Sequence, residues 1–258
     1  MIYETLSAAA LLKIDRENTL VVIPMAAVEQ HGPHMPTGTD KILCTAVAEA
    51  IEKKLPAEIL LIPTLWLGAS AHHLRFGSTL DSALDTYIAT LCDVARSLLD
   101  DGFKRILFLN GHGGNTDPMK IAVRELQPDY VDSLLAAGCY WAAGVETREK
   151  TLEGEHKFVG HACEFETSLM LHIRPDLVAI ECAENAGELI SDDMGGFYIS
   201  RDMLQRTRKG FTGRPDLASA EKGKTIFEAI VRELVVRAKE FLIAPLGSEY
   251  EDLAPPPA

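Results

Sequence analysis

Apolar and polar residues fall into two kinds of block along the chain. Short β-branched and aliphatic runs at Thr19 to Met25 (TLVVIPM), Glu58 to Pro63 (EILLIP) and Arg105 to Leu109 (RILFL) are closed by Gly, Pro or polar residues. Such runs read as strands buried on both faces. Between them apolar residues recur at three- and four-residue steps. Leu43, Val47, Ala50, Ile51 and Leu55 mark a helix from Asp40 to Leu55, with Thr39 or Asp40 placed to cap it. Leu84, Tyr87, Ile88, Leu91, Ala95, Leu98 and Leu99 form one stripe of a helix from Ser82 to Asp101, with Ser82 as its cap and Gly102 as its stop. Ser133 to Trp141 predicts a fourth strand, Phe165 to Ile173 a short helix ending before Pro175, and Ala218 to Leu242 a long amphipathic helix.

Strand alternating with helix predicts a three-layer α/β/α sandwich with a mostly parallel central sheet, because parallel strands need crossovers of about a dozen residues or more. No repeat or linker divides the chain, so residues 1–250 read as one domain and 251–258 (EDLAPPPA) as a disordered tail. With 258 residues, 47% of them hydrophobic and 24% charged, the chain has material for a full core. Its 38 Asp and Glu outnumber 25 Lys and Arg, and the net charge of -13 argues against nucleic acid and anionic membranes as partners. The 5 cysteines are scattered, with no Cys-x-x-Cys pair, which fits a reducing cytoplasm rather than a disulfide framework. No basic segment precedes the short apolar patch near the N-terminus, and no run approaches the roughly eighteen apolar residues needed to span a bilayer.

Ligands in parallel sheets bind at the carboxyl ends of strands, and the chemistry of this chain clusters there. After the first strand comes Glu29-Gln30-His31-Gly32-Pro33-His34. Glu29 and His31 alternate on an extended segment, so both point one way and can meet one metal centre, with Asp40 returning from the helix start. Asp40 alone reads equally well as a helix cap. After the third strand comes Asn110-Gly111-His112-Gly113-Gly114-Asn115, whose glycines let the backbone turn sharply around His112. A phosphate cradle is the other use of such a turn, but neither a G-x-x-x-x-G-K-[ST] nor a G-x-G-x-x-G pattern is present. A third cluster, His161, Glu164 and Glu166, opens the helix before Pro175. Taken singly, these are a core histidine and solvated helix-start charges. Together, Glu29, His31, Asp40, His112 and one or both of Glu164 and Glu166 make a nitrogen and oxygen donor set with a carboxylate able to bridge, which suits two divalent ions of the Zn, Mn or Fe(II) type.

These motifs resemble those of the creatininase (creatinine amidohydrolase) family. The matching residues are Ile23-Pro24-Met25, Glu29-Gln30-His31-Gly32, His34 and Asp40, then Asn110-Gly111-His112, then His161 and Phe165-Glu166-Thr167-Ser168-Leu169-Met170-Leu171, in the same order from Thr19 to Val178. The resemblance implies a three-layer α/β domain, a two-metal hydrolytic centre and a homo-oligomer, often a hexamer. Glu29, Asp40 and His112 would hold one ion, and His31 with the bridging Asp40 the second. Creatininase proper takes a Glu two residues after the turn histidine for its second ion; here Gly114 stands there, and Glu166 is the expected replacement. Gly160 and Lys157 stand where creatininase has a Glu and a Trp, while Trp141 keeps an aromatic on the substrate side. The NGHGGN form is closer to relatives that open other rings or remove formyl groups, or that hydrolyse a cyclic inositol-derived ketone.

The expected activity is that of a binuclear metal-dependent hydrolase acting on non-peptide C–N bonds. The two ions would lower the pKa of a bridging water and polarise the carbonyl of a small cyclic amide or formamide. His161 would pass the proton to the leaving group, with Glu164 beside it in the catalytic set. Trp141, Lys157, His73 and Arg75 are expected to bind substrate, with His72 in the same loop, and the donors among them also suit a polyhydroxylated cyclic ketone cleaved at C–C. The absent second-metal Glu leaves a third reading, a metal-stabilised subunit without turnover. His34 is expected to orient a metal ligand, and His172 to lie on its helix without a catalytic role.

Overall fold

The computed structural model describes residues 1–155, 157–187, 190 and 193–247; the expected tail at 251–258 and His156 lie outside them. A short helix α1 (Ala8–Leu11) precedes β1 (Leu20–Met25), α2 (Thr39–Lys54), β2 (Ile59–Leu61), α3 (Leu84–Asp100), β3 (Arg105–Asn110), α4 (Thr116–Leu126) and β4 (Leu134–Cys139). The remainder holds α5 (Val145–Thr151), α6 (Glu164–Ile173), a hairpin of β5 (Asp193–Met194) and β6 (Phe197–Tyr198), α7 (Met203–Arg206) and α8 (Ala220–Ile243). The main sheet has the order β2-β1-β3-β4 with every pairing parallel.

Alternation along β1 distributes its side chains to two cores. Leu20 and Val22 join Leu43, Val47 and Ile51 of α2, Phe165 and Leu169 of α6 and Ile226 and Ile230 of α8. Val21, Ile23 and Met25 face Tyr87, Leu91 and Leu98 of α3 and Met119 and Leu126 of α4. Both faces of the strand are therefore dry, which is why its sequence is a continuous apolar run. Among the described residues no helix is long and apolar enough to cross a membrane.

The helix starts differ from those expected. Ser82 does not cap α3, whose cap position is Ala83 without a side-chain hydrogen bond. Thr39 and Asp40 lie inside the first turn of α2, after Gly38, so Asp40 is free for other work. The segment from 179 to 219, in which the sequence pattern marks no element, carries the hairpin and α7. At the other end of that segment Ser219 caps α8, accepting from Lys222 N at 3.2 Å.

Helices α6 and α8 touch backbone to backbone: a Cβ on Gly223 would lie 1.9 Å from the Ser168 carbonyl oxygen. Gly223→Ala is expected to force the helices apart and cost on the order of 3 kcal/mol, the scale of core overpacking. Urea unfolding checks it, and an unchanged midpoint would contradict the close approach.

Candidate metal centre

Register along the sheet brings the reactive loops to one edge. Met25 pairs with Asn110 and Asn110 with Cys139, so β1, β3 and β4 end level with one another. Glu29 and His31 leave β1 at this edge, Asp40 enters from the first turn of α2, His112 follows β3, and Glu166 stands in the first turn of α6; all five are buried. The His112 turn is folded by Asn110, whose Oδ1 accepts from His112 N at 3.0 Å and whose Nδ2 donates to His112 O at 2.7 Å. A Cβ at position 114 would lie 2.1 Å from Ala69 O and 2.5 Å from His112 Nε2. No side chain fits there, so the glycine that replaces an acid is required by this backbone.

The orientation of the two central imidazoles follows from their hydrogen bonds, which assign the protons. His31 Nδ1 donates to the Glu29 carbonyl at 3.1 Å, and His112 Nε2 donates to the Ala69 carbonyl at 3.1 Å. The other nitrogens then present lone pairs to carboxylates: His31 Nε2 lies 3.1 Å from Asp40 Oδ1, and His112 Nδ1 lies 3.0 Å from Asp40 Oδ2 and 3.3 Å from Glu29 Oε1. Glu29 Oε2, His31 Nε2 and Asp40 Oδ2 are buried without a hydrogen-bond partner. Lone pairs aimed at carboxylate oxygens repel unless a proton or a metal cation lies among them. The donor set therefore fits divalent metal.

The charge balance without metal shows the same demand. Burial opposes a charged ring, yet the Asp40 carboxylate raises His31 to about 9, and Glu29, with Asp40, raises His112 well above its ordinary value. Burial likewise opposes the carboxylates, but His112 holds Glu29 below its usual range and His31 does the same for Asp40. Glu166 moves the other way: burial, with Asp40 and Glu29 adding to it and His31 opposing, raises it to about 7. In three groups, Glu29 with His31 and His161, Glu29 with His72 and His112, and His31 with Asp40 and Glu166, one ligand atom per residue lies within 4.8 Å of the others.

His161 and His73 complete the wall around Glu29. His161 Nε2 donates to the Gln30 carbonyl at 2.8 Å, leaving Nδ1 3.6 Å from Glu29 Oε1. Burial, then the neighbouring His31, lowers its pKa to about 3, so the ring is neutral at pH 7. Burial and the surrounding imidazoles also hold His73 far below its ordinary value, with Nε2 3.3 Å from Glu29 Oε1. A cleft of about 890 Å³ opens over Glu29, Asp40, His112, His161 and Glu166, and Trp141, Leu84, Ile121 and Tyr198 line its walls.

Other expected site residues lie elsewhere. Glu164 turns away from the cluster: its carboxylate accepts from Glu153 N at 3.0 Å, Gly154 N at 2.8 Å and Lys222 Nζ at 2.6 Å. Two residues apart on a helix, Glu164 and Glu166 point in roughly opposite directions, so one cannot share the other's site. Lys157 Nζ donates to the Leu152 carbonyl, and Arg75 pairs with Asp202 at 2.6 Å on the surface. His34 Nε2 reaches Ala162 O and Thr167 Oγ1, both at 3.1 Å, and so braces the start of α6, the turn that carries Glu166. His172 packs on Phe227, without a place in the cleft. At Gly160 a Cβ would lie 2.3 Å from Thr212 Oγ1, so a side chain there would displace the hydroxyl that accepts from His161 N. Gln30 and the ligand geometry of His72 were not singled out from sequence; the only signal was their position, one between Glu29 and His31 and the other beside His73.

Comparison with known proteins identifies the family and the fold. Residues 4–237 match the creatininase family, described as creatinine amidohydrolase. The mycofactocin precursor peptide peptidase of Mycobacterium tuberculosis is 31% identical over 257 residues, covering 94% of this chain and 93% of that protein. The creatinine amidohydrolase of Pseudomonas putida is 28% identical over 237 residues, covering 86% and 89%. The 3-dehydro-scyllo-inosose hydrolase of Thermotoga maritima is 26% identical over 251 residues, covering 89% and 79%. A solved creatininase mutant described as of Zn-Zn type superimposes with a TM-score of 0.79 at 25% identity, over 94% of this chain and 98% of that one. With a family match across nearly the whole chain and the same fold, this protein belongs to the creatininase family of metal-dependent hydrolases.

Proposed function

We propose that the protein hydrolyses an amide C–N bond with two divalent ions, one held by Glu29, Asp40 and His112 and the other by His31, Asp40 and Glu166. The observation that carries this reading is the set of buried, unpartnered atoms Glu29 Oε2, His31 Nε2 and Asp40 Oδ2, in a cluster where His31 Nε2 lies 3.1 Å from Asp40 Oδ1 and His112 Nδ1 3.0 Å from Asp40 Oδ2. Bound there, Zn, Mn or Fe(II) would supply a Lewis acid for the carbonyl and acidify a water. The chain supplies the rest. Asp40 uses both oxygens, one toward each histidine, and so sets the spacing of the two sites. His161, neutral and with Nδ1 turned toward Glu29, takes the proton of the attacking water and delivers it to the departing nitrogen.

The cleft supports a substrate larger than one small ring. At about 890 Å³ it lies toward the upper end of small-molecule sites, and Trp141, Leu84, Ile121 and Tyr198 offer apolar and aromatic contact well beyond the cluster. A peptide amide fits this opening, as the mycobacterial relative's name also suggests. A small cyclic amide or formamide is the second reading, favoured by the creatinine amidohydrolase relative. A screen of metal-loaded protein against short peptides, creatinine, lactams, formamides and polyhydroxylated cyclic ketones, read by mass, separates them. Peptide cleavage is expected. Preferred creatinine or lactam opening would return the substrate to a small ring, and turnover of the ketone alone, or of nothing, would overturn the amidohydrolase reading.

A further inference from the structure

We propose that Gln30 is a positioning residue that fixes the tautomer of His73 and, through it, the orientation of Glu29. Gln30 lies between Glu29 and His31, with its side chain directed away from the cluster centre toward His73 and the 207–213 segment. Its amide orientation is determined by its partners. Oε1 accepts from Gly32 N at 3.1 Å, so the other atom is nitrogen, and that nitrogen lies 2.8 Å from the Gly210 carbonyl and 2.9 Å from His73 Nδ1. An amide nitrogen has two protons. Both are used by these neighbours, and the third contact, 3.2 Å to His161 Nε2, joins two donors, because that ring proton goes to the Gln30 carbonyl at 2.8 Å.

His73 Nδ1 must therefore accept, and the ring's proton sits on Nε2, 3.3 Å from Glu29 Oε1. Glu29 Oε1 is anchored on this side, while Oε2 is left buried and unpartnered. One residue thus orients two imidazoles around the same carboxylate: His73 through its side chain and His161 through its carbonyl. The Gly210 contact ties this arrangement to the segment that returns over the site; a Cβ on Gly210, whose φ is +79°, would lie 2.4 Å from Gln30 Oε1.

The inference rests on Glu29 acting as a metal ligand for its consequence, but not for the tautomer itself. Nitrogen-15 spectra of histidine-labelled wild type, metal-free and metal-loaded, read the tautomer directly. His73 is expected to carry its proton on Nε2 in both. A wild-type His73 protonated on Nδ1 would overturn the proposal, whether or not the protein binds metal and whether or not any variant folds. In Gln30→Glu, and in the uncharged Gln30→Met, the donor to Nδ1 is lost. Loss of the Nε2–H form and a 10- to 100-fold weakening of metal binding in chelator competition are expected, the usual range for groups that orient ligands. If Gln30 acts through His73, the combined Gln30→Glu and His73→Gln change binds metal no more weakly than the worse single change. Multiplying losses, or an unchanged His73 tautomer in both Gln30 variants, would show a merely structural role.

Discussion

Asp40→Asn is expected to strip the protein of tightly bound divalent ions and lower hydrolysis at least about a thousandfold, a loss of roughly 4 kcal/mol in transition-state stabilisation. Asp40 directs Oδ1 at His31 Nε2 and Oδ2 at His112 Nδ1, at 3.1 Å and 3.0 Å. An amide of the same size keeps only one oxygen, so it cannot bridge. Its NH2 group would instead donate to one of the imidazole lone pairs, which offsets in the metal-free protein the need to protonate a buried ring. The metal-free variant is therefore expected to unfold at a temperature no lower than metal-free wild type. That separates a lost ligand from a damaged fold. Metal retained at the wild-type level would show that Asp40 does not bridge.

Glu166→Gln is the second large effect, and its expected result is selective. Glu166 reaches the cluster with His31 and Asp40 and accepts from Ala162 N at 2.5 Å through Oε2. Neutralising it removes the anionic ligand of one ion and leaves Glu29, Asp40 and His112 intact. The variant is expected to bind one ion where wild type binds two, and to lose about a hundredfold or more in turnover, or roughly 3 kcal/mol. Metal content and single-turnover rates together test this. Retention of both ions would mean that another group, with His161 beside His31 the nearest in kind, completes the second site.

The fold was legible where burial leaves a periodic trace. The continuous runs of β1 and β3 and the single stripe of α3 carry that trace, and the strand-end positions of Glu29 and His112 follow from the two runs. Helix starts were less legible, because capping competes with other uses of the same residue types: Asp40 looks like a cap and is buried in the cluster instead. On α6 the difficulty was phase. Residues from Glu164 to Met170 are all buried, so no polar face tells which carboxylate looks toward the metal-binding edge. Only the packing of α6 against α8, which takes Glu164 to Lys222, decides it. Lys157 was assigned to the cleft from the place of an aromatic in the family pattern and Arg75 from its position in a loop, and each finds a nearer partner. Gln30 carries no titratable group and so no chemical signal, although its two amide protons order the histidines around Glu29.

The central claim is that five buried side chains hold two ions, and metal content per chain tests it most directly. Protein purified without chelator, reloaded with Zn or Mn and passed through a desalting column, should retain two ions per chain in wild type, one in Glu166→Gln and none in Asp40→Asn. A wild-type protein that retains no divalent ion under any loading condition, or that holds a single ion unaffected by either change, would contradict it.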